Sequence, residues 1–385
     1  MDGDLIYIVA GEQSGDVLGA RLIAALRAAR PELRFAGIGG PLMATQGVES
    51  LFPLNELAIM GLLEVLPRIW HLRRLLHAAA ADVAARRPAV LVTIDSPGFT
   101  LRLLKLVGGT VKRAHYVAPQ VWAWRERRVR HFPGLWDRLL CLLPFEPEYF
   151  ARHGLPAVFD GHPVLESGAG DGDGARFRAA HGLAPDAPVL VLMPGSRRSE
   201  VARLLPVLAE TLGLLTPTLP GLIAVLPVAS AVAGTVRAAT ATWPVPPIIV
   251  SAIEAKHDAF AAASAAVTKS GTSTLELALA GVPMVVTYRV NPLTAMIARR
   301  LVKIRFAAMV NLLADRELVP ELIQQDSTAA KLAAAVRPLL AHKQAGAAQR
   351  AAVAPVLASL AAPSGTPSQA AAAEVLALLN AATPS

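Results

Sequence analysis

The sequence predicts an α/β fold of two doubly wound domains that face each other across a cleft. Apolar segments of strand length alternate with amphipathic helical segments, which is typical of a parallel sheet covered by helices on both faces. This series occurs once in each half of the chain, and a Gly-, Asp- and Ala-rich loop at residues 167–174 separates the halves. The chain has 385 residues, more than one ordinary hydrophobic core holds.

The first series predicts an N-terminal domain over residues 1–166. Strands are expected at residues 5–10, 34–38 and 89–94, with a helix at 17–28. The second series predicts a domain over residues 175–345, with strands at 188–193, 222–228, 247–250, 265–268 and 283–287. The Ala- and Leu-rich residues 346–385 predict a helical tail, interrupted by prolines, that packs back on the first domain.

Composition and local sequence argue against several classes of protein. Hydrophobic residues make up 54% of the chain and charged residues 17%, which excludes global disorder. The single cysteine, Cys141, excludes an intramolecular disulfide and a cysteine-based zinc site, and it fits a reducing cytosol. The acidic start is unlike a signal peptide, so secretion is not expected. The uncharged residues 211–236 are long enough to span a bilayer, but three prolines predict a helix end, a turn and a strand instead.

The formal net charge of +8 predicts an anionic ligand. Nucleic acid, acidic lipid and phosphorylated small molecules all satisfy this expectation, and charge alone does not choose among them. The basic residues form three clusters, which are Arg68, Arg73 and Arg74; Arg125, Arg127, Arg128 and Arg130; and Arg299, Arg300, Lys303 and Arg305.

Two loops in the second half have features of a nucleotide site. Ser270, Gly271 and Thr272 follow a predicted strand and open a helix, where free backbone amides and the positive helix end favour a phosphate. Glu276 lies one turn into that helix and could accept hydrogen bonds from ribose. Arg197 follows another strand end and could clamp a diphosphate. Helix capping explains the first loop equally well, and a solvated surface turn explains the second slightly better.

In the first half, Asp95 ends a buried strand and is placed to act as a general base. An Asx-type turn is the commoner explanation for an aspartate there. The loop at residues 10–16 contains Glu12 and Ser14 and suits sugar hydroxyls, since its carboxylates would repel a pyrophosphate. The segment around His115, Trp122 and Trp124 could stack bases or sugars, although core packing is the default for such residues.

The segment at residues 57–77 mixes large apolar side chains with arginines. Such a helix either lies in a lipid interface or faces an ordinary core, and the pattern favours neither. The residues that would contact lipid are Met60, Leu62, Leu63, Val65, Leu66, Ile69, Trp70, Leu72 and Arg73.

Taken together, these motifs resemble the lipid-A-disaccharide synthase family over nearly the whole chain, from about residue 5 to about residue 335. The resemblance rests on AGEQSGD, LAIMGLLEVLPR, IDSPGF and HYVAPQVWAWRERRV in the first part. It rests further on LPFEPEYF, GHPV, PGSR, SGTSTLE and NLLADRELVPELIQ.

The resemblance implies a glycosyltransferase of the two-Rossmann-domain, or GT-B, type. Its substrates would be UDP-2,3-diacylglucosamine and 2,3-diacylglucosamine 1-phosphate (lipid X), and its products the β-1,6-linked lipid A disaccharide 1-phosphate and UDP. It would invert the anomeric centre without a metal or other cofactor. It would act in the cytoplasm, bound peripherally to the inner membrane. The sequence leaves open whether it forms a homo-oligomer.

The resemblance also implies residue roles. Asp95 would take the proton from the 6-hydroxyl of the acceptor, with Glu12 and Ser14 beside it. The residues that would hold the nucleotide are Arg197, Ser270, Gly271, Thr272, Glu276, Asn311 and Arg316. The chain departs from the family pattern at Gly98 and Thr100, where Asp-Phe-Asn usually follows the proline, and at Asp315, where glycine is common.

Two other functions remain open on the sequence. One is another UDP-sugar transferase or an epimerase on the same scaffold, because a fold does not determine a substrate. The apolar, arginine-flanked segment near residue 60 argues against a soluble substrate. The other is a basic nucleic-acid-binding protein with Trp122 and Trp124 stacking on bases.

Overall fold

The computed structural model describes residues 4–57, 62–124, 126–243, 245–291, 294–296, 301 and 304–381, with residues 62–68 as backbone only. The chain divides into two compact units, Met1–Pro163 with Leu360–Ser385, and Val164–Ser359. Each unit is built on a six-stranded parallel sheet in the described part of the chain. The predicted α/β class with two doubly wound domains is therefore confirmed.

The first unit has the strand order β2-β1-β3-β4-β5-β6. Its elements are β1 (Leu5–Ala10), α1 (Gln13–Ala29), β2 (Arg34–Ile38), α2 (Pro41–Thr45), α3 (Leu62–Arg86), β3 (Val90–Ile94), α4 (Pro97–Val107), β4 (Lys112–Tyr116), α5 (Val121–Trp124), β5 (Arg138–Cys141), α6 (Glu146–Ala151) and β6 (Ala157–Phe159).

The apolar sequence of β1 is buried because both faces of its sheet are covered. Successive side chains of a strand point to opposite faces. Tyr7 and Val9 accordingly join a core with residues of α3 and α4, whereas Ile6 and Ile8 join a second core with residues of α1. Because both faces of β1 are buried, its sequence is apolar at consecutive residues.

The second unit has the strand order β12-β11-β10-β7-β8-β9. Its elements are α7 (Gly174–Ala180), β7 (Val189–Met193), α8 (Arg198–Leu215), β8 (Ile223–Pro227), α9 (Ser230–Thr240), β9 (Ile248–Val250), α10 (Ile253–Ala262), β10 (Ala265–Lys269), α11 (Ser273–Leu279), β11 (Met284–Tyr288), α12 (Met309–Ala314), β12 (Glu321–Ile323), α13 (Ala329–Ala341) and α14 (Lys343–Ser359).

The predicted tail at residues 346–385 is divided between the two units. Helix α14 belongs to the second unit and continues through Pro355, so the predicted interruption there is wrong. A last helix, α15 (Pro367–Asn380), belongs to the first unit. Ala371 and Val375 of α15 join the core that contains Ile6 and Ile8. Thr366 begins this helix with a capping box, and the following proline fits its first turn.

The uncharged residues 211–236 form the end of α8, a turn, strand β8 and the start of α9, as the prolines predict. Within the described residues, the helices lack the combination of length and apolar character that crossing a bilayer demands.

Each sheet has one position where the strand order reverses. In the first sheet this switch point lies between β1 and β3, and in the second between β7 and β10. In doubly wound sheets, ligands bind outside the carboxyl ends of the strands at such a point. The loops that end β1 and β3 carry Glu12 and Asp95, and those that end β7 and β10 carry Arg197 and Ser270.

The two loops of the first switch point touch at Gly11 and Ser96. A Cβ at Gly11 would lie 2.2 Å from the Cβ of Ser96. Ser96 itself adopts the left-handed conformation, with φ of +47°. Glycine at position 11 therefore allows the loop after β1 to lie directly against the loop after β3.

The glycines at residues 37–40 also serve packing. A Cβ at Gly37 would lie 1.8 Å from the carbonyl oxygen of Ile8, and one at Gly40 would lie 2.6 Å from a carboxylate oxygen of Asp16. The buried Asp16 carboxylate accepts hydrogen bonds from the backbone N–H groups of Gly40, Leu42 and Met43 at 2.8–2.9 Å. This acidic residue therefore caps α2.

We expect Asp16→Ala to lower the free energy of unfolding of the first unit by about 3 kcal/mol, because it leaves three N–H groups at a buried helix start without an acceptor. Urea unfolding followed by tryptophan fluorescence measures the change. Asp186→Ala, at an exposed loop carboxylate, is the control and should change it by less than about 0.5 kcal/mol. Equal losses in the two variants would contradict the capping role.

We expect Gly11→Ala to destabilise the first unit by about 1–3 kcal/mol, because the added methyl group overlaps the Ser96 side chain. The double variant Gly11→Ala/Ser96→Gly should recover most of this loss, since the next nearest atom, the Ser96 Cα, lies at 3.7 Å. Thermal unfolding of the single and double variants measures both effects. A double variant as unstable as Gly11→Ala would show that the strain arises elsewhere.

Candidate active site

Asp95 lies on a strained turn at the carboxyl end of β3. Asp95 and Ser96 both have positive φ, +50° and +47°. Left-handed backbone is unfavourable for residues with a side chain, and it persists where the surrounding structure enforces it. The Asp95 backbone N–H donates to the carbonyl of Tyr116 at 2.8 Å, and the Asp95 carboxylate accepts from the Ser96 N–H at 2.7 Å. Tertiary hydrogen bonds thus hold the turn.

Burial governs the acidity of Asp95. Desolvation raises the pKa of this carboxyl above its ordinary value near 3.8, although the hydrogen bond from the Ser96 N–H acts in the opposite direction. A carboxylate with a raised pKa is a stronger base than an exposed one. The Asp95 carboxyl thus lies at the carboxyl end of β3 and is more basic than the carboxyl of an exposed aspartate.

The loop after β1 contributes Glu12 and Ser14 to the same edge of the sheet. Glu12 is half-buried at the N-cap position of α1, and Ser14 is exposed in the first turn of that helix. The contact between Gly11 and Ser96 brings this loop against the turn that carries Asp95. The three residues predicted on the acceptor side therefore come from loops that meet at one switch point.

Thr100, a departure from the family pattern, supports the Asp95 turn. Its side chain is buried, and its hydroxyl lies 2.6 Å from the carbonyl oxygen of Asp95 and 2.9 Å from that of Ser96. Gly98, the other departure in this motif, is exposed, and a Cβ at this position would meet nothing within 4 Å. Thr100 thus stabilises the turn by hydrogen-bonding the carbonyls of Asp95 and Ser96, and Gly98 leaves open space next to the turn.

The loop after β10 places Gly271 and Thr272 at the start of α11. Gly271 has φ of +136°, a conformation that favours glycine. Thr272 is exposed and caps no backbone group with its side chain. Ser270, in contrast, donates its hydroxyl to the carbonyl of Ala307 at 2.6 Å. Ser270 therefore ties this loop to the segment before α12, while Gly271 and Thr272 form its outer part.

A buried carboxylate joins the two loops of the second switch point. Glu200 accepts hydrogen bonds from the N–H groups of Ser196 and Arg197 at 3.2 and 3.3 Å. Its other oxygen lies 3.4 Å from Nζ of Lys269, at the end of β10. The Arg197 guanidinium is only 3.8 Å from the same oxygen, yet its side chain is 57% exposed. Glu200 and Lys269 were not predicted as site residues, although they lie close to the predicted Arg197 and Ser270 in the sequence.

Glu276, predicted to bind ribose, forms an ion pair with Lys256 of α10 at 2.8 Å. Both side chains are largely buried. A carboxylate has about four lone-pair positions, so one lysine does not exhaust its capacity to accept hydrogen bonds. Lys256 fixes the orientation of Glu276 on α11.

The side chain of Asn311, predicted to hold the nucleotide, is engaged within the second unit. Its side-chain N–H groups donate to the carbonyl of Val319 and to Glu321, both at 2.8 Å. Its side-chain oxygen accepts from the N–H groups of Leu318 and Val319 at 2.7 and 3.0 Å. All four hydrogen-bonding positions of this buried side-chain amide are occupied within the second unit. Asn311 thereby shapes the loop after α12.

That loop carries Asp315 and Arg316. Asp315 has φ of +49°, which explains why glycine suits this position and why aspartate, which tolerates the left-handed region, can replace it. Arg316 follows it and is exposed. Glu321 accepts hydrogen bonds from the N–H groups of Ala307 and Ala308 and so caps α12 from β12.

A cavity of about 600 Å³ lies in the second unit near the carboxyl ends of β11 and β12. Its lining residues are Arg203, Arg289, Val290, Ala295, Met296, Gln324 and Gln325. None of the residues predicted to hold the nucleotide lines it. In the described part of the chain, no three His, Cys, Asp or Glu residues lie together as metal ligands would.

The aromatic segment of the first unit belongs mainly to the core. His115 is fully buried, stacks on Trp136 with ring centroids 5.5 Å apart, and has its pKa lowered to about 3 by burial. Trp122 donates from its indole N–H to Glu146 at 3.1 Å, and burial raises the pKa of that carboxyl to about 7. These contacts are structural, whereas Trp124 is 42% exposed.

Helix α3 has two distinct faces over the part whose side chains are described. Ile69 and Trp70 are 41% and 75% exposed, and the Arg73 guanidinium lies 5.3 Å from the centre of the Trp70 ring. Leu72, in contrast, packs against the core of the first unit. Of the other residues predicted to contact lipid, Met60 and the side chains of Leu62, Leu63, Val65 and Leu66 lie outside the described residues.

Comparison with known proteins gives the family. The model of the lipid-A-disaccharide synthetase family matches residues 6–375. The chain is 59% identical to the lipid-A-disaccharide synthase of Granulibacter bethesdensis, over 99% of this chain and 100% of that protein. It is 58% identical to the one of Gluconobacter oxydans, over 98% and 91%.

Solved structures of lower identity share the fold. The glycotransferase of kitacinnamycin has a TM-score of 0.65 at 17% identity, over 98% of this chain and 99% of that one. A UDP-GlcNAc 2-epimerase from Neisseria meningitidis, solved with UDP-GlcNAc, has a TM-score of 0.64 at 10% identity, over 97% and 98%. The chain has the GT-B fold, and by its match over residues 6–375 it belongs to the lipid-A-disaccharide synthase family.

Proposed function

We propose that this glycosyltransferase joins UDP-2,3-diacylglucosamine to 2,3-diacylglucosamine 1-phosphate and releases UDP. The product is the β-1,6-linked lipid A disaccharide 1-phosphate. Family membership supports the reaction, and the observation that carries the residue assignment is the placement of the candidate residues. A proton acceptor ends β3 at one switch point, and the proposed nucleotide loops end β7 and β10 at the other.

The proposed reaction is a single displacement with inversion. The Asp95 carboxylate takes the proton from the 6-hydroxyl of the acceptor as that oxygen attacks C1 of the donor sugar. The bond between C1 and the UDP oxygen breaks, and UDP leaves with the electron pair. Glu12 and Ser14 hydrogen-bond the acceptor hydroxyls and hold the attacking oxygen near Asp95, which reduces the entropy cost of the reaction.

The leaving pyrophosphate is held by positive charge and backbone amides. Arg197 contributes an exposed guanidinium, and Gly271 and Thr272 form the start of α11. Glu276 accepts hydrogen bonds from the ribose, and Arg316 lies on the loop that Asn311 shapes. Ser270 and Asn311 act as positioning residues, because their side chains are engaged within the second unit.

We propose further that the protein acts in the cytoplasm as a peripheral protein of the inner membrane. The exposed face of α3 supports this, because Ile69 and Trp70 offer apolar area and Arg73 offers charge for anionic lipid.

We expect Asp95→Asn to lower kcat for UDP release by at least about 100-fold, because the amide cannot accept the proton. The amide keeps an oxygen for the Ser96 N–H, so UDP affinity should stay within about twofold of the unchanged protein. Turnover is measured with both lipid substrates and EDTA present, and UDP affinity by calorimetry. Full activity in the variant would remove Asp95 from the mechanism, and no UDP release by the unchanged protein would end the proposal.

The pH profile provides an independent check on Asp95. A raised pKa means that the proton acceptor is lost at a higher pH than for an ordinary aspartate, so the acid limb of kcat/KM should lie above pH 3.8.

Arg197→Ala is the matched variant on the nucleotide side. It should raise the donor KM and weaken UDP binding about tenfold, while the acid limb stays in place.

We expect Trp70→Ala to weaken binding to phosphatidylglycerol vesicles about tenfold or more, because it removes exposed apolar area that the bilayer would bury. Vesicle sedimentation measures the change. Leu42→Ala is the control, since this leucine is also exposed in the first unit but lies on α2. If both variants bound vesicles as tightly as the unchanged protein, α3 would not be the membrane contact.

A further inference from the structure

A second cavity, of about 230 Å³, opens in the first unit beside the turn that carries Asp95. Pro97 and Gly98, at the start of α4, form one edge of it. Its apolar lining consists of Leu101, Phe132 and Leu135, all buried. The reaction described above assigns no role to this cavity.

Four basic side chains surround the cavity. Arg102 and Lys105 lie on α4, three residues apart, and Arg128 and His131 lie three residues apart on the short 3-10 helix Glu126–His131. Residues three apart lie on one side of a helix, so both helices direct their cations toward the cavity. All four side chains are exposed, and no carboxylate is among the lining residues.

These four basic side chains have no polar partner in the described part of the chain. None of the four forms an ion pair or a side-chain hydrogen bond with another described residue. Cations gathered without carboxylates repel one another, so their placement favours a ligand with concentrated negative charge. A phosphate monoester fits, because it carries nearly two negative charges at neutral pH and three strong acceptor oxygens.

The short distance between the cavity and Asp95 indicates which phosphate would bind in it. Gly98 lies three residues after Asp95, and three residues of chain span at most about 11 Å. A Cβ at Gly98 would meet nothing within 4 Å, so there is open space at this edge of the cavity. That span accommodates one sugar ring, with its reacting 6-hydroxyl at Asp95 and the phosphate on C1, which is joined to C5 through the ring oxygen.

We propose that the cavity formed by Arg102, Lys105, Arg128 and His131 binds the phosphate on C1 of the acceptor sugar. This inference rests on the proposed function and assigns the residues that distinguish a phosphorylated from an unphosphorylated acceptor. The apolar lining excludes water from one side of the phosphate and strengthens its attraction to the cations. The positive end of α4 adds to this attraction.

The test compares two acceptors, 2,3-diacylglucosamine with and without its 1-phosphate, in detergent micelles. The unchanged protein should prefer the phosphorylated acceptor at least about tenfold in kcat/KM. Arg102→Ala/Arg128→Ala should lose this preference. The donor KM and kcat/KM for the unphosphorylated acceptor should stay within about twofold of the unchanged protein. Arg127→Ala/Arg130→Ala is the matched control, because both arginines are exposed on the same 3-10 helix but do not line the cavity.

Three results would overturn the inference. The double variant could keep the preference for the phosphorylated acceptor. It could lose activity equally with both acceptors, which would indicate a structural effect, and thermal unfolding would reveal it. It could keep the preference and bind phosphatidylglycerol vesicles more weakly, which would make the cavity a site for bilayer head groups.

Equilibrium binding separates this inference from the proposed function. Calorimetry with the phosphorylated acceptor alone requires no turnover. If the unchanged protein binds this acceptor about tenfold more tightly than the double variant does, the phosphate site stands even where UDP release fails. Equal binding by both proteins would overturn the phosphate site while leaving the transferase reaction intact.

Discussion

The structure depends on one constraint, that a parallel sheet must be covered by helices on both of its faces. Parallel strands need crossover connections, and the crossover helices bury the apolar side chains that alternate along each strand. The residues of β1 show this directly, because neighbouring side chains enter two different cores. All strands then end at the same edge, and the reversals in strand order open space there. Both groups of candidate residues lie at such reversals.

The two switch points differ in their electrostatics, and the difference fits the two requirements of the proposed reaction, a proton acceptor and a site for the leaving UDP. In the first unit, burial makes the carboxyl of Asp95 less acidic. In the second unit, Glu200 holds Lys269 and the Arg197 loop together while the Arg197 guanidinium remains exposed. In the proposed reaction, the first switch point supplies the proton acceptor and the second holds the departing anion. Nearby cations would lower the basicity of the Asp95 carboxylate, and nearby carboxylates would repel the pyrophosphate, so the two switch points need opposite charges.

Much of the fold could be predicted because its strands are continuous apolar segments. β1 and β2 have the predicted bounds, β7 and β10 differ from prediction by one residue at one end, and β11 is shifted by one residue. Strand β4 was not predicted, because its sequence KRAHY is mostly polar. Its buried His115 is instead accommodated by Thr93 and Trp136, which are distant in sequence. Short strands such as β6 and β12 carry too few residues for a pattern.

The candidate site could be predicted by position but not by the role of each side chain. Strand ends followed by small or charged residues identified Asp95, Arg197 and Ser270. Whether a polar side chain faces a ligand or its own backbone depends on tertiary contacts, so the sequence could not predict the four internal hydrogen bonds of the Asn311 side chain. The family match decides between the alternatives that net charge left open, and it favours a transferase over a nucleic-acid-binding protein.

The location of α15 has a consequence for biosynthesis. This helix follows the whole second unit in the chain, yet its apolar face covers the first sheet beside α1. While a ribosome is still translating the second unit, one face of the first sheet lacks part of its cover. The nascent first unit therefore lacks part of the cover over β3, β4 and β5, and it reaches its mature packing only after the last helix leaves the exit tunnel.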